Sequence, residues 1–169
     1  RYLMRHASAV ILNGASAEAP AVAEFGRPRR LFVAPLGDYR RWYPDTLSDE
    51  EARRAMALEP GERVFLYFGT MRPRRNPLKL IEHFRALPQE NLRLLVSGEC
   101  PEALRRQVER AAHGDWRSRC FFQNTPNEYM ERYFKSCDWV VMPGERYLTS
   151  AIVLLALSYG RPVIAERYG

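Results

Sequence analysis

An α/β fold, with a parallel sheet and helices on both of its faces, is what this 169-residue sequence predicts, and three observations carry the prediction. Short apolar, β-rich runs at 63–68, 92–97, 119–122, 138–142 and 162–165 alternate with helical patterns at 78–87, 101–113, 126–137 and 150–159. Such alternation implies right-handed crossovers between parallel strands. Every residue from 151 to 157 is apolar. That helix has no polar face and is expected to be buried within the domain. Finally, apolar residues make up 46% of the chain and no apolar run reaches about 18 residues, which fits a soluble chain with a full core and no membrane span.

Taken in order, residues 1–34 read as helix, strand, helix, strand. Ala9-Val-Ile-Leu12 is a short apolar run, Asn13-Gly14 breaks it, and Ser16 is placed to cap a helix reaching about Phe25. Arg27-Pro-Arg-Arg30 forms a basic turn before the run Leu31-Phe-Val-Ala34. The stretch 35–44 is aromatic, has proline at both ends and fits neither period, so it reads as an ordered linker. Ser48-Asp-Glu-Glu51 has capping-box spacing and starts a helix that should stop before Pro60-Gly61. Thr125-Pro126-Asn127-Glu128 repeats the pattern, with proline at the first helical position. Thr149 or Ser150 can cap the all-apolar helix, and Gly160 can end it.

The three cysteines, Cys100, Cys120 and Cys137, are far apart and have no histidine at ligand spacing. Reduced thiols in a cytoplasmic protein are the expectation, with neither a disulfide framework nor a metal site. A net charge of +6, mostly from arginine, suits anionic partners such as phosphorylated small molecules or acidic membrane surfaces. Arginine and tyrosine are scattered over helices and turns without forming one stripe, so nucleic acid is not expected. The first residues carry no signal-peptide pattern, and the chain reads as a piece of a longer protein.

Ligands of parallel sheets bind at the carboxyl ends of the strands, here the loops that start at Gly69, Gly98, Gln123 and Pro143. The first loop, Gly69-Thr-Met-Arg-Pro-Arg-Arg75, holds neither a Gly-x-Gly-x-x-Gly nor a Walker lysine. It holds three arginines instead, Arg72, Arg74 and Arg75, whose planar guanidinium groups can grip phosphate oxygens two at a time. The fourth loop leads through Thr149 and Ser150 into the apolar helix, whose first N–H groups can receive an anion as readily as they can be capped. Cations on one loop and free N–H groups on another, along one sheet edge, point to a diphosphate.

Four stretches together, Gly69-Thr-Met-Arg-Pro-Arg-Arg75, Leu94-Leu-Val-Ser-Gly98, Asp138-Trp-Val-Val-Met-Pro143 and Leu155-Ala-Leu-Ser-Tyr-Gly-Arg-Pro-Val-Ile-Ala165, resemble the C-terminal domain of a GT-B glycosyltransferase of group 1, or family 4. Pro35-Leu-Gly-Asp38 resembles the linker between the two Rossmann-like domains of that fold. The resemblance implies that 1–36 end an acceptor-side domain, that 37–47 form the linker, and that 48–169 are the donor-binding domain. It implies a hexosyl transfer from a nucleoside diphosphate sugar, with no other cofactor and no metal, to a glycan or lipid-linked acceptor. It places the enzyme in the cytoplasm, with peripheral association at the inner face of the membrane.

By the same resemblance Arg75 stands where the family has a diphosphate-binding lysine, and Thr70 where it has an arginine, with Arg72 close enough to compensate. Gly69 and Thr70 would line the donor, Gln123 and Asn124 would meet the base, and Thr149, Ser150 and Ala151 would offer N–H groups to the diphosphate. The family's two glutamates, eight positions apart, fall on Tyr147 and Leu155, and neither is acidic. Tyr147 is then a donor-sugar contact. Glu145, the only nearby carboxylate, is the candidate catalytic acid alongside Arg72 and Arg75. The missing pair leaves open a catalytically inactive binding module and an epimerase or phosphorylase of the same fold.

Overall fold

The computed structural model describes residues 2–144 and 150–167. The apolar alternation closes into two parallel sheets. The smaller pairs β1 (Val10–Leu12) with β2 (Leu31–Val33), flanked by α1 (Tyr2–His6) and α2 (Glu18–Phe25). The larger contains β3 (Arg63–Phe68), β4 (Leu92–Ser97), β5 (Ser118–Phe121), β6 (Trp139–Met142) and β7 (Val163–Ala165) in the order β5-β4-β3-β6-β7, all parallel. The chain therefore starts this sheet in its middle, runs outward to β5, and returns to the other side of β3. That reversal opens a crevice at the carboxyl ends of β3 and β6.

Two layers of helix cover the sheet. On one face α4 (Pro77–Arg85) and α5 (Glu102–Ala112) bury Ile81, Phe84, Leu104 and Val108 against Leu94 and Val96. On the other, α3 (Asp49–Ala55), α6 (Met130–Ser136) and α7 (Ala151–Ser158) close over Val64, Leu66, Leu95 and Val140. All six residues of β4 are buried, as expected of a strand covered on both faces. No helix among the described residues is long and apolar enough to cross a membrane.

The capping box at the start of α3 is formed: the Glu51 N–H donates to the Ser48 hydroxyl at 3.2 Å, and the Ser48 N–H donates to the Glu51 carboxylate at 2.7 Å. Ser48→Ala is expected to cost about 1 kcal/mol in urea unfolding. The other N-terminal expectations need correction. Ser16 caps nothing; it lies inside a single 3-10 turn, Ala15–Ala17, that precedes α2. Thr125 does not cap a helix either, because its buried hydroxyl is bonded to the Ser97 hydroxyl at 3.1 Å, and α6 begins only at Met130 after a 3-10 turn. Ser150 is the N-cap residue of α7, yet its hydroxyl turns to the Met142 sulfur at 3.8 Å rather than to the helix. Gly160 does end α7, at φ +69, with Gly160 N–H donating to Leu157 O and Arg161 N–H to Ala156 O.

The expected full burial of α7 is half met. Leu155 and Ala156 sit in the core, while Leu157 is 58% exposed and Ala151 lies at the surface. The helix lies over the β6–β7 side of the sheet with no further layer beyond it among the described residues, so one side of an all-apolar helix stays open.

The linker is fastened to the larger body from Tyr39 onward. The Tyr39 N–H donates to the Ser158 hydroxyl at 3.1 Å and the Tyr159 hydroxyl to Pro44 O at 2.7 Å. Buried Glu131 accepts from the N–H groups of Thr46 and Leu47 and from the Thr46 hydroxyl. Lys135 pairs with Asp45 and donates to Leu47 O.

Candidate functional site

The crevice is built by how β3 leaves the sheet. Past Phe68 the backbone keeps pairing with β4's exit: Gly69 N–H donates to Ser97 O at 2.9 Å and Met71 N–H to Glu99 O at 2.7 Å. This brings the Gly69 carbonyl directly against Gly98, where a Cβ would stand 2.1 Å from the Gly69 oxygen and where φ is +146. Met71, fully buried, anchors the loop from below. Arg72 then runs extended, Pro73–Arg75 make one 3-10 turn, and Asn76 adopts the left-handed conformation at φ 48, ψ 43 before α4 starts at Pro77. The turn rotates Arg75 back toward the strand end.

Arg75 and the first turn of α7 meet at Gly69. A Cβ on Gly69 would lie 3.3 Å from the Arg75 Nη1 and 3.7 Å from two side-chain carbons of Ile152. The missing side chain is what lets a cation from one wall and a helix start from the other approach the same point. The first N–H groups of an α-helix have no partner within it, and the dipole adds positive potential there. Asn76 adds a tie across the crevice, its side-chain N–H donating to Pro143 O at 3.4 Å.

Of the residues expected from sequence, Gly69, Arg75, Ser150 and Ala151 are thus gathered around the β3–β6 crevice. Thr70 is half-buried on the same loop, and Arg72 is exposed one turn away, beside exposed Arg74. Gln123 and Asn124 are exposed beyond the end of β5, on the same sheet edge but two strands from β3, roughly 10 Å away. Their loop is held by the Ser97–Thr125 bond and by Gly98 N–H donating to Phe121 O. Glu145, Tyr147 and Thr149 lie outside the described residues. Leu155 packs in the core, 4% exposed. Asn76 was not singled out from sequence; the Asn-Pro pair just before a helix was its one signal.

The thiols are unsuited to nucleophilic work near neutral pH. Burial pushes Cys137 up to about 12 and Cys120 up to about 11, and it also raises Cys100. Among the described residues no three His, Cys, Asp or Glu side chains come close enough together to hold a metal ion.

Residues 48–169 match the family Glycosyl transferases group 1. Two curated proteins illustrate the sequence similarity. A GDP-mannose:glycolipid 4-beta-D-mannosyltransferase of Xanthomonas campestris is 29% identical over 134 residues, covering 76% of this chain and 35% of that protein. A D-inositol 3-phosphate glycosyltransferase of Nocardia farcinica is 28% identical, covering 100% of this chain and 40% of that protein. The chain thus spans about two fifths or less of these relatives' length. Among solved structures, the sucrose-phosphate synthase of Thermosynechococcus elongatus superposes with a TM-score of 0.79 at 23% identity, over 97% of this chain and 42% of that one. Anabaena Alr3699/HepE, solved in complex with UDP and glucose, gives 0.77 at 18% identity, over 96% and 45%. At these identities the superpositions establish the fold.

Proposed function

The chain belongs to the group 1 glycosyl transferases, and from that premise we propose that it is the donor-binding part of an enzyme that moves a hexosyl unit from a nucleoside diphosphate sugar to a glycan or lipid-linked acceptor. Its fold is the Rossmann-like C-terminal half of GT-B. The observation that carries the reading is the meeting of Arg75 and the first turn of α7 at side-chain-free Gly69, in the crevice between β3 and β6.

In this scheme the diphosphate lies over Gly69 and Thr70. Arg75, with Arg72 from the exposed part of the loop, neutralises the negative charge that grows on the leaving group as the glycosidic bond breaks. The N–H groups from Ser150 and Ala151 onward add donors aimed at the same oxygens, as preorganised groups that need no rearrangement during the reaction. These groups supply the positive charge, so the scheme uses no metal. The base reaches along the sheet edge toward Gln123 and Asn124. Support for the donor class comes from the relatives: the mannosyltransferase is named for GDP-mannose and a glycolipid, and Alr3699/HepE was solved with UDP and glucose. On this reading the enzyme works in the cytoplasm and meets lipid-linked acceptors at the inner membrane face. The 169 residues alone bind nucleotide but turn over little, since 1–36 are only the end of the acceptor-side domain, 37–47 are the linker and 48–169 are the donor domain.

Calorimetry against UDP, GDP and ADP tests this. At least one should bind, and Arg75→Ala should weaken it by at least tenfold, the share of one charge-assisted contact to phosphate. A mutant that binds as well as the parent overturns the site. A second reading, a catalytically inactive GT-B-like module that binds a partner or a glycan, is favoured by Leu155, where the family's second glutamate is replaced by a core side chain. Turnover of a donor sugar by the full-length protein separates the two.

A further inference from the structure

We propose that Asn76 is a positioning residue of the donor site, one that holds the arginine loop and the loop after β6 at a fixed separation. The inference rests on the donor-site reading above and adds to it a residue that never touches the ligand.

Asn76 is one of two non-glycine residues with positive φ among the described residues, at φ 48. It stands immediately before Pro77, and the residue before a proline is pushed toward extended backbone, so a helical-type conformation here is doubly disfavoured. Asparagine tolerates this region better than most side chains, but glycine would occupy it at no steric cost. The backbone alone therefore does not account for asparagine.

The side chain does. As the N-cap residue of α4, Asn76 would ordinarily turn its oxygen onto the helix's first N–H groups, yet it makes no such bond. Its amide reaches across the crevice instead and donates to Pro143 O at 3.4 Å. The backbone on either side is committed to the two elements it joins: Asn76 N–H donates to Pro73 O at 3.0 Å, closing the turn that carries Arg74 and Arg75, and Leu80 N–H donates to Asn76 O at 3.1 Å, opening α4. One residue thus ends the arginine turn, starts α4 and is tethered to the exit of β6.

The consequence concerns distance. Cations and helix N–H groups act on the same diphosphate only if their separation matches it, and a misplacement of about 1 Å is costly in such sites. Beyond the β3–β6 pairing below them, Arg75 and Ile152 approach from the two walls at Gly69, and the Asn76–Pro143 tether spans the walls beside them. The first involves Arg75, the side chain assigned to the ligand itself. The second is independent of the ligand and so can set the width of the crevice beforehand.

Asn76→Gly tests this, because it keeps the backbone conformation and removes only the tether. Calorimetry with UDP, GDP and ADP should show the nucleotide bound by the parent chain held about fivefold more weakly by the variant, with the melting temperature within a few degrees of the parent. Asn76→Asp, which keeps size and backbone but loses the N–H, should fall at least as far. If the parent binds a nucleotide and Asn76→Gly binds it equally well, the positioning role is overturned while the donor site stands. If the parent binds none of the three, the donor site itself falls, and this inference with it.

Discussion

Gly98→Ala is expected to unfold the chain or to remove about 4 kcal/mol of its stability, a large effect for one added methyl group. Two independent costs fall on the same atom. The added Cβ would stand 2.1 Å from the Gly69 oxygen and 2.5 Å from its carbonyl carbon, and both are backbone atoms that no rotamer change can move. The φ of +146 is also a region that side-chain-bearing residues rarely enter. Relief would require β3's exit to lift off β4, breaking the Gly69–Ser97 and Met71–Glu99 bonds that carry the arginine loop. Thermal unfolding should show a drop on the order of 10 °C. Gly114→Ala provides the control, since φ is +78 there but nothing lies within 4 Å of the new methyl, and about 1 kcal/mol is expected. Equal melting temperatures for Gly98→Ala and the parent would contradict the packing described for this crossing.

Glu131→Ala should cost about 3 kcal/mol in urea unfolding. The carboxylate accepts at 2.7 Å from Thr46 N–H, at 3.1 Å from Leu47 N–H and at 3.0 Å from the Thr46 hydroxyl, from a position only 5% exposed. Truncation would strand these donors and free the linker from α6. Burial by itself would raise the carboxyl, but the Leu47 and Thr46 donors and the nearby Lys135 outweigh it, and the net direction is downward. A carboxyl held below its ordinary value in the folded state stabilises fully above that value, near 4.5, and loses its contribution as pH falls through the lowered one. The stability gap between the parent and Glu131→Gln should therefore be widest near neutral pH and narrow below about pH 4.5. A gap that stays constant down to acid unfolding would rule out the charged latch.

Local and periodic features were legible in the sequence. The strands of the large sheet stand within a residue or two of their expected positions because each is a short, mostly apolar run, as in β4, where only Arg93 and Ser97 among six buried residues are polar. Ser48 and Glu51 were legible because a capping box is closed within four residues. The Thr125 cap failed on a partner 28 positions away, Ser97, which no local pattern announces. Glu131, in an ordinary amphipathic stretch, became the anchor of a linker some 85 positions earlier in the chain. In the candidate site the residue types and their shared sheet edge were readable from the sequence, but their meeting point at Gly69 was not. It depends on Gly98 admitting the Gly69 carbonyl and on Asn76 turning the chain, and both are set by the strand order. The open side of α7 has the same origin, since composition reports an apolar helix and not how many layers cover it.

That strand order also imposes an order in time. Phe65 pairs with Leu94, and Leu94 with Ser118, each across fewer than about 30 residues, whereas Phe65 pairs with Trp139 across roughly 75. Closing the longer span costs about 0.8 kcal/mol more in chain entropy. As synthesis proceeds, β3, β4 and β5 with α4 and α5 are complete before β6 exists, and contacts close in sequence form fastest. The half-sheet made first offers β3 as a waiting edge, and β6 docks on it afterward. The crevice between them, where Arg75 and α7 meet, thus comes into being only after the β3–β4–β5 part of the sheet's working edge is in place.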